Sequence, residues 1–284
     1  MAAYEPEVEG NRIDPHSDPH TDPNGNGESP PGPGGLRRRG IYLLPNLFTL
    51  GVLFSGFFAI VQAMNGRFEV GCIAIFIAMV LDGMDGRVAR WTNTQSEFGA
   101  QFDSIADMVA FGAAPALMAY TWVLKDIQVF GLGWIGAFIY CAGAGIRLAR
   151  FNANIAVVDP RYFQGLPSPS GAAVMAGFIW VMVDFFQIAP RDHHWLAPLT
   201  WIVAVYAGVT MVSNVPFWSF KEVNWKKRVP LWVILALVIG ISIVASSPSL
   251  VLFGVFMAYG FSGYVMWAMG HRARPILPDD DSDG

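Results

Sequence analysis

Four aspartates occupy a short polar stretch that follows a long apolar run. Asp82 and Asp85 are three residues apart, and Asp103 and Asp107 are four residues apart. Both spacings place a pair of side chains on one face of a helix. A short polar connection, residues 91–97, separates the two pairs, so an antiparallel helical hairpin would bring all four carboxylates together.

The four carboxylates predict a metal site. Carboxylates held close together away from water repel one another unless a cation neutralises them. Two divalent ions balance four carboxylates, and oxygen ligands without Cys or His favour Mg²⁺ or Mn²⁺ over zinc. A pair of such ions polarises a phosphoryl group and activates an attacking oxygen. The chemistry expected of this stretch is therefore phosphoryl transfer.

Small residues and an arginine accompany the aspartates. Gly83, Gly86 and Ala89 would let a backbone or a phosphate approach the second helix closely. Arg90 lies within reach of an anionic substrate, which a guanidinium binds in a bidentate way. A plainer interpretation is that these charged residues only flank the ends of two helices. That interpretation accounts for each residue alone, but not for four aspartates at helix-face spacing together with glycines and an arginine.

The elements that would carry these residues are transmembrane helices. The chain has 284 residues, of which 54% are hydrophobic and 14% charged, and the apolar residues form long runs. A bilayer core needs about 20 apolar residues per helix. The sequence predicts an all-α polytopic membrane bundle of about eight transmembrane helices, near residues 41–64, 68–86, 100–124, 130–150, 171–189, 195–216, 229–247 and 249–270.

Charge placement predicts the orientation of this bundle. Lys and Arg are retained on the cytoplasmic side, and most of them fall in loops that share a side with the N-terminus. We therefore expect both termini, and the aspartates, on the cytoplasmic side. With this charge bias, the lack of a recognised targeting segment favours a prokaryotic cell membrane over the alternative of an organelle membrane. Residues 1–35 are predicted to be a disordered tail, residues 36–270 the catalytic domain and residues 271–284 an acidic cytoplasmic tail.

One spaced pattern covers the region from the first aspartate to the fourth. It reads Asp82-x2-Asp85-Gly86-x2-Ala89-Arg90-x8-Gly99-x3-Asp103-x3-Asp107. This pattern resembles the signature of the CDP-alcohol phosphatidyltransferase family. The resemblance implies a homodimer of membrane helices that transfers a phosphatidyl or similar group from a CDP-linked donor to an alcohol and releases CMP.

The same resemblance assigns roles to residues. It implies that the first three aspartates hold one metal ion, that the first, third and fourth hold another, and that Asp107 takes the proton of the acceptor hydroxyl. Donor-binding positions fall on Gly86, Arg90, Ser96, Asn46 and Thr49. From the residues alone, Asn46 with Pro45 would mark a helix entry and Thr49 would be a satisfied core hydroxyl.

Three further stretches bear on the acceptor, namely residues 145–152, 161–171 and 213–222. Together with the aspartate region and residues 37–50, they resemble the integral-membrane bacterial phosphatidylserine synthases within this family. That resemblance implies transfer from CDP-diacylglycerol to L-serine. No Ser, Cys or His stands out as a covalent relay, which favours direct attack. Electrostatics alone leaves glycerol 3-phosphate open as the acceptor, and inositol is a further acceptor within the same chemistry.

Serine would bring a carboxylate to the site. Arg147 or Arg150 could bind that carboxylate in a bidentate contact, while Gln164, Ser168 and backbone amides near Gly165 orient the amino acid. A cation transporter, a function of a different class, would also place aspartates in membrane helices. The position of the carboxylates at one membrane face, beside glycines and an arginine, favours the transferase.

Overall fold

A computed structural model describes residues 34–92, 96–127, 131–153, 162–188, 194–218 and 231–269. The predicted terminal tails therefore lie outside the described residues, except that residues 34 and 35 begin the first helix. The chain divides into two units, residues 1–40 and residues 41–284. All the site residues considered below belong to the second unit.

The described chain is helical almost throughout. Its α-helices are α1 (Gly34–Met64), α2 (Phe68–Thr92), α3 (Glu97–Asp107), α4 (Ala114–Trp122), α5 (Leu132–Ala153), α6 (Ser168–Trp180), α7 (Leu196–Val212), α8 (Leu231–Ser246) and α9 (Pro248–Ala268). A first π segment (Met108–Ala113) joins α3 to α4, and a second (Val181–Phe185) continues α6. A short 3₁₀ turn, Leu124–Asp126, follows α4.

Five helical stretches are long and apolar enough to cross a membrane. They are Pro45–Met64, Glu97–Trp122, Leu132–Ala153, Ser168–Phe185 and Pro248–Ala268. Helix α7 is also apolar, but it has only 17 residues. The chain is therefore an all-α membrane protein, as the sequence predicts.

The helix boundaries differ from those expected around the aspartates. The second helix is predicted to end near residue 86, whereas α2 continues to Thr92, because residues 87–92 contain neither Gly nor Pro to stop it. Helix α3 begins at Glu97 rather than residue 100, because the Ser96 hydroxyl accepts a 3.0 Å hydrogen bond from the Gly99 amide and caps the helix. The first aspartate pair consequently lies inside α2 and not at its end.

Two short strands are an exception to the predicted helices and loops. Strand β1 (Tyr162–Gln164) pairs antiparallel with β2 (Pro216–Trp218), with Phe163 opposite Phe217. The sequence does not predict these strands, because three residues are too few to show an alternating pattern. The pairing holds the segment that follows α7 against the segment that precedes α6.

Helix α6 forms the centre of the bundle. Every residue from Ser170 to Trp180 is buried, and the helix packs against α2, α7 and α9. A small residue also allows close packing between α1 and the first π segment. A Cβ added at Gly56 of α1 would lie within 3.0 Å of Ala110. This contact places α1 directly against the helical stretch that follows Asp103 and Asp107.

Candidate metal and phosphoryl-transfer site

Three aspartates gather where α2 approaches α3. Asp82, Asp85 and Asp103 each offer one carboxylate oxygen, and these oxygens lie within 4.8 Å of one another. Asp82 and Asp85 are nearly one turn apart on α2, and Asp85 is only 6% exposed. Two helices therefore present three acidic side chains to a single place.

Asp107 joins this group through Asp82. The Asp82 carboxyl lies within hydrogen-bonding reach of the Asp107 carboxyl, and Asp85 is related to Asp103 in the same way. These cross-helix pairs have the order expected of an antiparallel hairpin. The structure thus brings together all four aspartates that the sequence predicts to form the site. Asp82, Asp85 and Asp103 form the tightest group, and Asp107 lies next to Asp82.

The cluster fits a divalent cation. Asp103 Oδ1 and Asp107 Oδ1 are buried and have no hydrogen-bond partner within the described part of the chain. Buried charged oxygens are costly unless they are hydrogen-bonded, paired or bound to a metal. An all-oxygen ligand set suits hard cations such as Mg²⁺ or Mn²⁺. The residues present therefore match the predicted type of metal site.

Thr49 of α1 contacts the aspartate cluster through Asp85. Its hydroxyl oxygen lies 3.2 Å from Asp85 Oδ2 and 3.2 Å from the Pro45 carbonyl oxygen. Thr49 is buried, so it is both a satisfied core hydroxyl and a direct neighbour of an aspartate. Pro45 lies inside α1, and the interpretation of Pro45 and Asn46 as a helix entry is therefore wrong.

Asn46 and Ser96 lie close to Gly99 at the start of α3. A Cβ added at Gly99 would come within 3.1 Å of Ser96 Oγ and 3.3 Å of Asn46 Oδ1. The structure accordingly gives Ser96 a capping role, while its contact with a donor remains a prediction. A side chain at position 99 would therefore be tight and would require Ser96 or Asn46 to shift by a few tenths of an ångström.

Gly83 and Gly86 border open space rather than a packed helix. A Cβ added at either position would meet no described atom within 4 Å. The space for an added side chain beside both glycines is therefore unfilled by the described residues, and approach of a phosphate to them remains a prediction. The backbone of Ala89 and Arg90 belongs to α2, but their side chains lie outside the described residues.

Arg147 of α5 faces the aspartates. Its guanidinium interacts electrostatically with Asp107 and Asp82, and its Nη1 donates a 2.8 Å hydrogen bond to Ser168 Oγ. Its Nε is buried and lacks a partner among the residues described. Arg147 is therefore a cation beside the acidic cluster with a donor still unused.

Arg150, one turn further along α5, is engaged elsewhere. Its Nη2 donates to Gln164 Oε1 at 2.6 Å and to Asn214 Oδ1 at 2.7 Å, and its Nη1 donates to the Val212 carbonyl at 3.4 Å. These bonds tie the end of α5 to β1 and to the segment before β2. The structure thus separates two arginines that the sequence treats as equivalent.

The backbone amides near Gly165 are already in use. The Gly165 amide donates to the Val215 carbonyl at 2.9 Å, and the Leu166 amide donates to the Thr210 carbonyl at 3.1 Å. The prediction that these amides orient an amino acid is therefore wrong, because both amides are already bonded to backbone carbonyls, one of Val215 and one of Thr210 at the end of α7. Gln164 and Ser168 lie nearby, but each accepts a hydrogen bond from one of the two arginines.

Three polar residues around the site are not among those predicted from the sequence. Asn214 holds Arg150, Tyr140 donates to the Phe111 carbonyl, and Asn152 Nδ2 donates to Ser104 Oγ at 2.9 Å. Asn152 and Asn214 fall in stretches that the sequence already indicates for the acceptor, 145–152 and 213–222, so their positions carried a usable signal. The partner of Tyr140 lies 29 residues away on another helix, and no local pattern indicates it.

Comparison with known proteins identifies the family. Residues 42–213 match the family described as CDP-alcohol phosphatidyltransferase. The chain belongs to this family. The matched region of this CDP-alcohol phosphatidyltransferase includes the four aspartates and both arginines of α5, and it ends before β2, α8 and α9.

Curated relatives within the family share one activity name. A CDP-diacylglycerol–serine O-phosphatidyltransferase of Helicobacter pylori is 37% identical over 227 residues, which cover 78% of this chain and 90% of the relative. The enzyme of that name from Mycobacterium tuberculosis is 30% identical over 232 residues, covering 80% and 79%. Another from Methanocaldococcus jannaschii is 33% identical over 143 residues, covering 50% and 61%.

Proposed function

We propose that this chain transfers the phosphatidyl group from CDP-diacylglycerol to the hydroxyl of L-serine, forming phosphatidylserine and CMP. One observation carries the proposal, namely the aspartate cluster with Arg147 beside Asp107. The cluster suits a phosphoryl donor, and the arginine suits an acceptor that bears a carboxylate. The activity name shared by relatives that match most of this chain supports the same acceptor.

The four aspartates would hold two divalent ions, either Mg²⁺ or Mn²⁺. When bound, such ions polarise the phosphoryl group and offset the negative charge that gathers during transfer. Asp82, Asp85 and Asp103 would form one ligand set, and Asp82, Asp103 and Asp107 the other. Thr49 acts through Asp85, because its hydroxyl donates to that carboxylate.

Asp107 accepts the proton of the serine hydroxyl in this proposal. Its buried Oδ1 lacks a described hydrogen-bond partner, and a general base must reach the proton it removes. The serine oxygen then attacks the phosphorus that carries the diacylglycerol group. A bond forms between that oxygen and phosphorus, the bond from this phosphorus to the oxygen of the CMP phosphate breaks, and CMP leaves with the electron pair.

Arg147 binds the serine carboxylate in this arrangement. A guanidinium beside the proposed base would hold the carboxylate and the hydroxyl of one small molecule on the same side of the cluster. Arg150 and Gln164 then support the pocket rather than touch serine, because they are bonded to each other. Ser168 orients the Arg147 guanidinium through its hydroxyl.

The donor would lie along the opposite side of the cluster. The open space beside Gly83 and Gly86 admits a diphosphate close to the α2 backbone. We assign Gly86, Arg90, Ser96 and Asn46 to this donor side. The acyl chains would remain in the lipid or between helices.

The membrane arrangement forms part of the proposal. Helices α2, α7 and α8 would join the five apolar stretches, giving about eight transmembrane helices. Both termini and the aspartate cluster would face the cytoplasm of a prokaryotic cell, with residues 1–35 and 271–284 as cytoplasmic tails. The working unit would be a homodimer.

The test is an assay of the purified chain in lipid nanodiscs with CDP-diacylglycerol, isotopically labelled serine and Mn²⁺. We expect labelled phosphatidylserine and CMP in equal amounts, and no product after the Asp103→Asn substitution. Release of CMP that depends on glycerol 3-phosphate or inositol, but not on serine, would contradict the proposed acceptor. Cation flux through liposomes without any lipid product would instead support the transporter.

A further inference from the structure

The helix that carries Asp103 and Asp107 changes its winding directly after Asp107. Residues Met108–Ala113 are π-helical, and the Ala114 amide donates to the Val109 carbonyl, five residues back. One extra residue in a turn rotates the two flanking parts by about 100° relative to a continuous α-helix, because an α-helix has 3.6 residues per turn. The π segment therefore changes the direction in which Asp103 and Asp107 point relative to the buried face of α4.

Tyr140 of α5 is hydrogen-bonded to this π segment. Its hydroxyl donates to the Phe111 carbonyl at 2.9 Å, and both side chains are 0% exposed. A buried hydroxyl that lost this bond would leave a polar group unsatisfied in the core, which disfavours other arrangements of the segment. The bond therefore holds the first π segment in the conformation observed.

Tyr140 belongs to a row of residues on α5 that follows the aspartate helix. Ala144 and Arg147 lie four and seven residues after Tyr140, which places all three on one helix face. Ala144 packs against Gly112, where an added Cβ would come within 3.3 Å of the Ala144 Cβ. Arg147 interacts electrostatically with Asp107, so the row connects the π segment to the proposed base.

A further contact joins the end of α5 to the aspartate helix near Asp103. Asn152 Nδ2 donates to Ser104 Oγ at 2.9 Å, directly beside Asp103 in the sequence. The contacts run in opposite directions along the two helices, from Tyr140 with Phe111 to Asn152 with Ser104. Helix α5 therefore fixes the aspartate helix from both ends of the segment that bears Asp103 and Asp107.

We propose that Tyr140 is a positioning residue for Asp107. Its hydroxyl holds the first π segment in place. The π segment in turn sets the rotation of α3, and this rotation brings Asp107 to Asp82 and to Arg147. The effect on turnover rests on the proposed function. The effect on cation binding rests only on the arrangement of the aspartates.

The test compares Tyr140→Phe with Tyr264→Phe in the full-length protein in detergent. Tyr264 is a matched control, because its hydroxyl also makes a partly buried hydrogen bond, 2.7 Å from Thr210 Oγ1, between α9 and α7. Binding of Mn²⁺ alone is titrated by electron paramagnetic resonance, and serine transfer is measured in parallel. We expect Tyr140→Phe to weaken Mn²⁺ binding about 2- to 10-fold and to lower kcat, with little change in KM for CDP-diacylglycerol, while Tyr264→Phe changes neither.

A second measurement locates the effect in the structure. Hydrogen exchange followed by mass spectrometry should show faster exchange in the peptide that spans residues 108–113 in Tyr140→Phe, but not in Tyr264→Phe. If Tyr140→Phe fails to fold, Gly112→Ala decides the question, because its added methyl group would disturb the same segment against Met108 and Ala144. We expect that variant also to weaken Mn²⁺ binding.

The inference is overturned if folded Tyr140→Phe binds Mn²⁺ and turns over as Tyr264→Phe does. A fall in thermal stability with unchanged Mn²⁺ affinity would also overturn it, since the hydroxyl would then serve folding only. Failure of the proposed function is recognisable separately. In that case the unaltered protein binds Mn²⁺ but makes no phosphatidylserine, and the Mn²⁺ titrations still decide the role of Tyr140.

Discussion

Arg150 Nη2 lies 2.6 Å from Gln164 Oε1, and this bond joins the last turn of α5 to strand β1. Arg147, one turn earlier on the same helix, instead donates to Ser168 and interacts with Asp107. The two arginines have the same chemistry but different neighbours. In the proposed mechanism, Arg147 therefore binds the substrate, whereas Arg150 supports the structure around it.

Replacement of Arg147 by Gln should raise the KM for serine. A charge-assisted hydrogen bond contributes about 1.5–3 kcal/mol, so its loss corresponds to a rise on the order of 10- to 100-fold. The KM for CDP-diacylglycerol should change little. Steady-state kinetics with each substrate varied in turn provides the measurement.

Arg150→Gln is the matched control for that variant. It removes bonds to Gln164 and Asn214, so thermal stability should fall while the KM for serine stays within a few-fold of its original value. An equal rise in the KM for serine in both variants would show that the two arginines share the acceptor.

Replacement of Asp107 by Asn should nearly abolish turnover. Removal of a general base costs on the order of 10²- to 10⁴-fold in rate, and an amide cannot accept the serine proton. The rate of labelled phosphatidylserine formation at saturating serine is the measurement. Asp184→Asn is the control, because Asp184 accepts a 2.8 Å hydrogen bond from Ser249 on α9 and lies outside the proposed site. Normal turnover by Asp107→Asn would exclude Asp107 as the base.

Removal of divalent ions should stop the reaction reversibly. Four clustered carboxylates repel one another without a cation, so chelation with EDTA should abolish product formation and also lower thermal stability. Added Mg²⁺ or Mn²⁺ should restore both properties, as the all-oxygen ligand set favours these ions. Activity that persists after exhaustive chelation would contradict the metal site.

Replacement of Gly86 by Ala should affect binding of the donor more than folding. The added methyl group meets no described atom, and Ala favours a helix by about 1 kcal/mol over Gly. We therefore expect unchanged or higher thermal stability together with a raised KM for CDP-diacylglycerol. Gly254→Ala on α9 is the control, since its methyl group also meets no described atom. Equal kinetics of the two variants would mean that the donor does not approach Gly86.

The sequence is sufficient to predict the helical membrane architecture and the aspartate cluster. Long apolar runs define the helices, and the spacing of Asp82, Asp85, Asp103 and Asp107 places them on facing sides of one hairpin. These features depend on local periodicity, which a single chain displays directly. The helix ends near the site are less predictable, because a cap such as Ser96 and the continuation of α2 depend on a few residues.

The remaining features depend on contacts between distant residues. Neither the β1–β2 pairing nor the different partners of Arg147 and Arg150 leaves a local pattern. The first π segment is similarly hidden, because its sequence is compatible with an ordinary α-helix and the bond from Tyr140 comes from another helix. Such partners become visible only when the helices are packed together.

The crossing of α5 and α7 leaves no room for a side chain. A Cβ added at Gly143 would overlap the backbone of Gly208, and one added at Gly208 would lie within 2.8 Å of the Tyr140 Cα. The α5–α7 contact is therefore closed to anything as large as an acyl chain. In the proposed mechanism, neither the lipid donor nor the lipid product would pass between these two helices.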